Sequence, residues 1–344
     1  MIYLNDLKTE YDSIKDEIDD VIKRVLRNSS FILGKEVSAF EDQFAAYIGR
    51  KYCVGVSSCT AALHLALKVM GIGQNDRVNV PVRCVTADAE AVKMCGAMPV
   101  FYDQDEDTAD ATIAVHLYGK PLKKLKKPGV VLIEDCAQAA GAAYKDRKCG
   151  TIGDVSCFSF FPSKTLGCYG DGGAVLTDDH EIAEELRALR NHGRLMGQKH
   201  KHEYSGFNYR LDGLQAAVLS VKLNHIDRWI AMRAQAAMRY NKCLEGVKQV
   251  STPVIKKGII RSWYVYAVTV LQRDELATYL RKNEIQTGIH YPIPVHQQPA
   301  FKEKGVEFPE ADKWAATTLS LPMYPFIKAE QIEYICGKIK EFYC

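Results

Sequence analysis

Apolar residues never run long enough in this sequence to cross a bilayer; no stretch approaches the roughly 18 that a span requires. The opening MIYLNDLKTEYDSIKDEIDD mixes both charge signs and lacks an apolar centre, so it reads as neither a signal nor a transit peptide. No two cysteines have CxxC spacing, and no Cys/His cluster has the spacing of a zinc site, so no metal is expected. No GxGxxG follows the first apolar strand, which removes the dinucleotide fingerprint of a nicotinamide enzyme. Charge imbalance is slight, +3 over 344 residues, too small to argue for a nucleic-acid partner. Internal repeats and low-complexity tracts are missing as well.

What is present is ordinary for a globular chain: 47% hydrophobic and 25% charged residues, enough for one large domain and a smaller one. The 11 cysteines are odd in number and scattered through apolar segments, which fits reduced core thiols in a cytoplasmic protein. Two basic clusters stand out. KPLKKLKKPG (120–129) has no interleaved aromatics and reads as a solvated face; HGRLMGQKHKH (192–202) could meet an anionic ligand.

Helical and strand patterns alternate. A helix is expected over about 11–26 and another over 36–49, ended by Gly49. KYCVGVSS, DRVNVPV, MPVFYD, ATIAVHLYG and GVVLIED read as strands, with helices CTAALHLALKVMGIG and TADAEAVKMCGA between the first of them. Such alternation predicts an α/β fold with a mostly parallel, doubly covered sheet; the apolar runs VVLI and AVLT read as buried parallel strands. Residues 178–223 are helical in pattern, and a long helix follows. From 248 the pattern changes to short strands, a helix, the proline-rich HYPIPVHQQPAF and a closing helix. The expected division is a large domain over 1–247 and a small α+β domain over 248–344.

FSFFPSKTLGCYGDGGAVLTDD (158–179) places Lys164 between a buried strand and a glycine-rich turn. An amine held between buried strands loses hydration and becomes more nucleophilic. Ligands of open α/β sheets sit at the carboxyl ends of strands, and three groups fall there. Ser57, Ser58 and Thr60 precede an apolar helix whose N-terminus suits a phosphate. Asp135 ends the strand GVVLIED, where a carboxylate can grip a cationic ring nitrogen, and Gln138 could bond a ring substituent. Ser159, five residues before Lys164, could also reach a phosphate. Lysine, strand-end aspartate and helix N-terminus in this order describe a site for pyridoxal 5'-phosphate: the lysine binds it as a Schiff base and the aspartate keeps its ring nitrogen protonated.

With FILGKEVSAFEDQFAAYIG, SSCTAALHLAL, GAMPVFYD, AVHLYGKP, IEDCAQAAGA, the Lys164 stretch, NHGR and GFNYRLDGLQAAVLSVKL, the sequence resembles the DegT/DnrJ/EryC1/StrS family of sugar aminotransferases over essentially its whole length. The resemblance implies a fold-type I aminotransferase, a homodimer with its two sites at the interface, and Lys164 as the catalytic lysine. It assigns Asp135 to the ring nitrogen and Gln138 to the ring near its hydroxyl. Ser159 and the Thr60–Ala61 backbone, next to Cys59, hold the phosphate. Asn208 of GFNYR resembles the asparagine donated to the partner's phosphate, and His192 and Arg194 resemble the stretch nearing the anionic sugar nucleotide. HYPIPVHQQPAF is similar to the loop of members acting on 3-keto sugars, which makes His290, Tyr291 and His296 substrate candidates.

Some positions depart from the family pattern. Cys59 stands where glycine is usual. Val85 stands where an aromatic usually stacks on the ring; valine offers no π surface, so a weaker hold on the cofactor is expected. Arg83 and Asp88 are unusual beside it. The implied reaction is ping-pong transamination from an amino acid, with glutamate the expected donor, to C3 of a nucleotide-linked keto sugar, in amino-sugar biosynthesis for a surface polysaccharide or another glycosylated product. Amination at C4, or of another ketone or cyclitol, is the alternative. Lys164 stands against the dehydratase branch, which carries histidine there, and the chain has no room for the DNA-binding domain of a regulator.

Overall fold

The computed structural model describes residues 1–103, 108–122, 128–195, 197–198, 200–302 and 305–344; positions 123–127 of the first basic cluster and 196 and 199 of the second lie outside this set. At the start of the chain two helices replace the single one expected: α1 (Leu7–Ser13) and α2 (Lys15–Asn28). Asp6 caps α1 by accepting from the Thr9 N–H at 3.0 Å. The Ser13 hydroxyl bonds the Glu10 carbonyl at 2.7 Å, and Ile14 leaves the helical region at φ −134°. Ile14 and Ile18 still face one core, so the apolar spacing runs through the break and hides it.

The chain continues through α3 (Lys35–Ile48), β1 (Tyr52–Val56), α4 (Cys59–Val69), β2 (Arg77–Pro81), α5 (Ala87–Met94), β3 (Met98–Tyr102), β4 (Ala111–Val115) and β5 (Val131–Asp135). A short hairpin, β6 (Ala143–Tyr144) and β7 (Arg147–Lys148), precedes β8 (Val155–Ser159) and β9 (Gly173–Thr177). The main sheet has the order β1-β9-β8-β5-β4-β2-β3. Pairs β2/β3, β2/β4, β4/β5 and β5/β8 are parallel, whereas β9 runs antiparallel to both β8 and β1. The AVLT run is thus a buried antiparallel strand. Helices cover the sheet on both faces, so burial makes β9 apolar throughout whatever its direction.

Its reversal brings the start of β9 to the carboxyl ends of its neighbours: Gly173 pairs with Val56 on one side and Ser159 on the other. A side chain at Gly173 would lie 2.5 Å from the Ser58 carbonyl carbon and 2.8 Å from the Cys59 nitrogen, so glycine lets the start of α4 sit on the strand. One face of the sheet packs under α4 and α5 around Val54, Leu63, Leu65 and Val78; the other holds Phe40, Phe44, Phe158 and Phe160 against α3.

After α6 (His180–Leu189), α7 (Gly213–Leu223) and α8 (Ile226–Cys243) come β10 (Val250–Ser251), β11 (Ile259–Ile260), β12 (Tyr266–Val270), α9 (Arg273–Lys282), α10 (Pro309–Thr317), β13 (Thr318–Leu321) and α11 (Ala329–Tyr343). Strands β10, β12 and β13 form a small antiparallel sheet over a core of its own, which α8 shares through Ala236, Ala237 and Tyr240. Ile2 bridges Ile285, tying the first residues to this part of the chain. Ser262 stitches the two parts together: its N–H donates to the Gly119 carbonyl at 3.1 Å and its hydroxyl to the Gln138 carbonyl at 2.6 Å. Among the described residues no helix is long and apolar enough to cross a membrane, and the 11 cysteines are unbridged.

Candidate active site

The strand GVVLIED ends in two adjacent carboxylates with opposite fates. Glu134 is fully buried; its oxygens accept the Gly150, Ile152 and Gly153 N–H groups at 2.9, 2.7 and 2.7 Å and face His116 Nε2 at 3.0 Å. The Leu122 N–H donates to His116 Nδ1 at 3.1 Å and so needs a lone pair there. Burial favours the same neutral ring against the pull of Cys149 and Glu134 toward the charged one, and the Leu122 bond places the remaining proton on Nε2. His116, Glu134 and Cys136 lie close enough to hold a metal, but the Glu134 oxygens are already engaged, so the cluster is a structural clamp.

Asp135 faces the other way. It is 3% exposed, and Oδ1 accepts the Ala137 N–H at 2.7 Å with the Cys59 thiol 3.8 Å away. Burial raises its pKa, while the Ala137 bond and the Lys164 charge oppose the rise. Asp88, in the first turn of α5, is also fully buried beside it. Lys164 Nζ lies 4.3 Å from the centre of the Tyr264 ring. The Lys164 loop is held by its own backbone, Lys164 N–H to the Phe161 carbonyl at 2.9 Å, and by Asn5 Nδ2 donating to the Ser163 carbonyl at 3.2 Å.

At the start of α4, Ser58 Oγ accepts the Ala61 N–H at 3.1 Å, and the first helical bond runs from the Ala62 N–H to the Ser58 carbonyl at 3.0 Å. The N–H groups of Cys59 and Thr60 precede that bond and have no partner within the helix. Ser159 adjoins this end of the helix through Gly173, and its hydroxyl accepts the Phe161 N–H at 3.3 Å. Gln138 is buried; Oε1 accepts the Tyr118 N–H at 2.7 Å and Nε2 donates to the Tyr291 hydroxyl at 3.1 Å. Tyr118 in turn bonds the His290 carbonyl through its hydroxyl, and His290 Nδ1 meets Ser320 Oγ at 2.8 Å. Burial and the nearby Lys164 lower the His290 pKa to about 4, so its ring is neutral at pH 7.

Lys164, Asp135, Gln138, Cys59, Tyr291 and His290 therefore converge at the carboxyl ends of the parallel strands, beside the start of α4 and Ser159. A cationic ring nitrogen fits a buried carboxylate with one close donor, and a phosphate fits a helix start with free N–H groups. These residues suit pyridoxal phosphate.

The remaining candidates have other surroundings. His296 is a correction: it is 3% exposed, its ring edge-on to Phe308 and Nε2 3.8 Å from Asp312, because the proline-rich loop turns Val295 and His296 inward. His192 and Asn208 are exposed on a ribbon joined by the Asn191/Asn208 bridge, and Arg194 Nη2 donates to Asn191 Oδ1 at 2.9 Å. Val85 is half-buried in the turn before α5, and Arg83 pairs with Asp103 at 2.5 Å, which gives that unusual residue a structural task. Tyr118, Tyr264 and Ser320 are not legible in the sequence; each reaches the site through a long-range contact, with no local motif to mark it.

A family model described as the DegT/DnrJ/EryC1/StrS aminotransferase family matches residues 12–340. The chain is 40% identical to a pleiotropic regulatory protein of Geobacillus stearothermophilus, covering 98% of this chain and 97% of that one. It is also 40% identical to the dTDP-3-amino-3,4,6-trideoxy-alpha-D-glucose transaminase of Streptomyces venezuelae (98% and 95% covered). To a UDP-2-acetamido-2-deoxy-3-oxo-D-glucuronate aminotransferase of Pseudomonas aeruginosa it is 38% identical (98% and 99%). A GDP-perosamine synthase of Escherichia coli O157:H7 matches at 33% (90% and 91%). Among solved structures, S. venezuelae DesV in complex with a ketimine intermediate superposes with a TM-score of 0.93 at 38% identity, covering 99% and 98% of the two chains. NtdA of Bacillus subtilis with bound cofactor PMP gives 0.86 at 25%, covering 96% and 82%.

Proposed function

Since the chain belongs to the DegT/DnrJ/EryC1/StrS aminotransferase family, as a pyridoxal phosphate-dependent sugar aminotransferase, we propose that it moves an amino group from glutamate to C3 of a nucleotide-linked keto sugar. The observation that carries this reading is the convergence of Lys164, Asp135 and Gln138 beside the start of α4. Relatives named for 3-amino and 3-oxo sugars support C3. The perosamine synthase keeps C4 as the second reading.

When bound, the cofactor supplies an electron sink for the pair left behind as a proton departs the amino acid's α-carbon. Asp135 holds the proton of the ring nitrogen in place through its buried carboxylate. Gln138 orients the ring edge, fixed between Tyr118 and Tyr291. Ser159 and the free N–H groups of Cys59 and Thr60 would hold the phosphate, beside Ala61, whose N–H the Ser58 hydroxyl already occupies, and Val85 would lie against the ring. Lys164 Nζ would hold the cofactor and, once freed by the donor, would take the proton from the donor's α-carbon as general base and give it back as general acid. The 2-oxo acid would leave carrying the oxygen of one water, and the same lysine would move a proton in the reverse sense as the sugar ketone takes the amino group and gives up its oxygen as water. His290 and Tyr291 face the sugar; the neutral His290 accepts or donates a hydrogen bond without adding charge. His192 and Arg194 meet the anionic nucleotide. Asn208, exposed on its ribbon, is assigned to the phosphate in a second copy of the chain, so the working form is a homodimer. Reduced thiols such as Cys53 and Cys157 suit the cytoplasm.

The test is an absorption spectrum of the protein with pyridoxal phosphate, before and after glutamate, followed by 3-keto and 4-keto sugar nucleotides and NMR of the product. A visible band that glutamate bleaches, that Lys164→Ala lacks, and an amino group at C3 are expected. Normal turnover by Lys164→Ala would sink the lysine assignment; an amino group at C4 would overturn the regiochemistry.

A further inference from the structure

No N–H or O–H donor among the described residues reaches either oxygen of Asp88, although the side chain is fully buried in the first turn of α5. The titratable groups that act on it are a second buried carboxyl, Asp135, and the Cys84 thiol. That thiol lies 2.8 Å from the Pro81 carbonyl, to which it donates. Two carboxylates in one buried pocket are each an acceptor without a hydrogen to share, and they repel. A single proton between them removes the repulsion and gives both a partner. Burial and the Asp135 charge push the Asp88 pKa well above the carboxylate range. Asp135 rises too, but its Ala137 bond and Lys164 oppose the rise, so the proton belongs on Asp88.

We propose that Asp88 is a positioning residue that keeps one proton and donates it to Asp135, so that the cofactor's ring nitrogen meets a carboxyl pair of net charge −1. This rests on the assignment of Asp135 to that nitrogen. A hydrogen bond to the charged form of a carboxylate lowers its basicity. Asp135 is thereby kept from withdrawing the proton of the ring nitrogen, in a pocket where burial alone would favour that withdrawal. The net charge of −1 also matches a single pyridinium; two ionised carboxylates would not. Asp88 acts through Asp135 and touches no reacting atom in this scheme.

The experiment uses the wild-type protein and the variants Asp88→Asn, Asp88→Leu and Asp135→Asn. Infrared difference spectra of the cofactor-free forms read the C=O stretch of a protonated carboxyl. NMR of the holoenzymes, loaded with pyridoxal phosphate carrying ¹⁵N in its ring, reads the protonation of that nitrogen. The expected result is a protonated-carboxyl band at neutral pH that disappears in Asp88→Asn. In the same variant the ring nitrogen stays protonated, because asparagine still donates to Asp135. In Asp88→Leu the nitrogen resonance moves toward neutral pyridine and the cofactor's dissociation constant rises about tenfold, as for one lost bond to a charged group. A merely structural Asp88 would change the melting temperature and leave the nitrogen resonance where it is. Should Asp88→Leu not fold, the infrared band and Asp88→Asn still decide. A band that survives Asp88→Asn, or a nitrogen deprotonated by Asp88→Asn, overturns the proposal. An Asp135→Asn holoenzyme with an unshifted nitrogen overturns the placement of Asp135 instead, while the infrared result on the shared proton stands by itself.

Discussion

Gln138 and Tyr291 are bonded across 153 positions of chain, the amide donating to the phenol oxygen at 3.1 Å, and the same amide accepts the Tyr118 N–H at 2.7 Å. Tyr118 sits at φ +58°, a conformation that costs a non-glycine residue roughly 1–2 kcal/mol unless its surroundings hold it. Gln138→Ala would orphan that N–H and should destabilise the protein by about 1–3 kcal/mol. Gln138→Glu keeps the acceptor and should cost less. Thermal melts of the two variants, with and without pyridoxal phosphate, check the order; equal losses would mean that the Tyr118 bond does not matter.

Gly173→Ala should loosen the start of α4. Its methyl would lie 2.5 Å from the Ser58 carbonyl carbon, and neither partner is a flexible side chain. A loss of about 1–3 kcal/mol in stability is expected from such overpacking. Because the displaced N–H groups are those assigned to phosphate, the affinity for pyridoxal phosphate should fall more than that for pyridoxal. Equal falls for the two ligands would detach this helix start from phosphate binding.

His290 makes the stability depend on pH. Its folded pKa, about 4, lies below the ordinary 6.5, so between those values the unfolded chain binds more protons than the folded one. Stability should therefore rise from pH 4 to 6.5, and this contribution is lost as the pH falls through that window, by up to about 3 kcal/mol. Denaturation midpoints of wild type and His290→Gln across the window test the sign. An equally steep slope in the variant would place the effect on other groups.

Val85→Phe should hold pyridoxal phosphate at least as well as the wild type, since an aromatic face is worth roughly 0.5–1.5 kcal/mol beyond its area. Val85 is only half-buried in the turn before α5, which leaves room for the larger ring. Equilibrium dialysis gives the comparison; a marked loss of affinity would mean that another residue covers the ring.

Residues whose place in the fold is declared by their immediate neighbours are readable from the sequence alone. Lys164, Asp135 and the Ser58 cap each sit at or just past the end of an apolar strand, before a glycine-rich turn, a tight turn and a helix start respectively, and local pattern marks such junctions. The alternation of strands and helices likewise exposes the parallel sheet. The direction of β9 is not readable, because burial on both faces makes parallel and antiparallel strands look alike. The break at Ile14 is hidden by apolar spacing that runs straight through it. The two-residue strands β6 and β7 are too short to show a period. His296 has the look of a substrate contact because it shares a loop with His290, yet Phe308 and Asp312 draw it into the core. The Asp88–Asp135 pairing depends on α5 and β5 meeting in space, which no spacing within either element records.

Ser262 joins the C-terminal sheet to the floor of the site through Gly119 and Gln138. Sub-global opening of the C-terminal part must break those two bonds before its strands come loose. Amide protons of β12 and the residence of the cofactor are then governed by one cooperative event: whatever tightens the grip on the ring should slow hydrogen exchange in strands that never touch it.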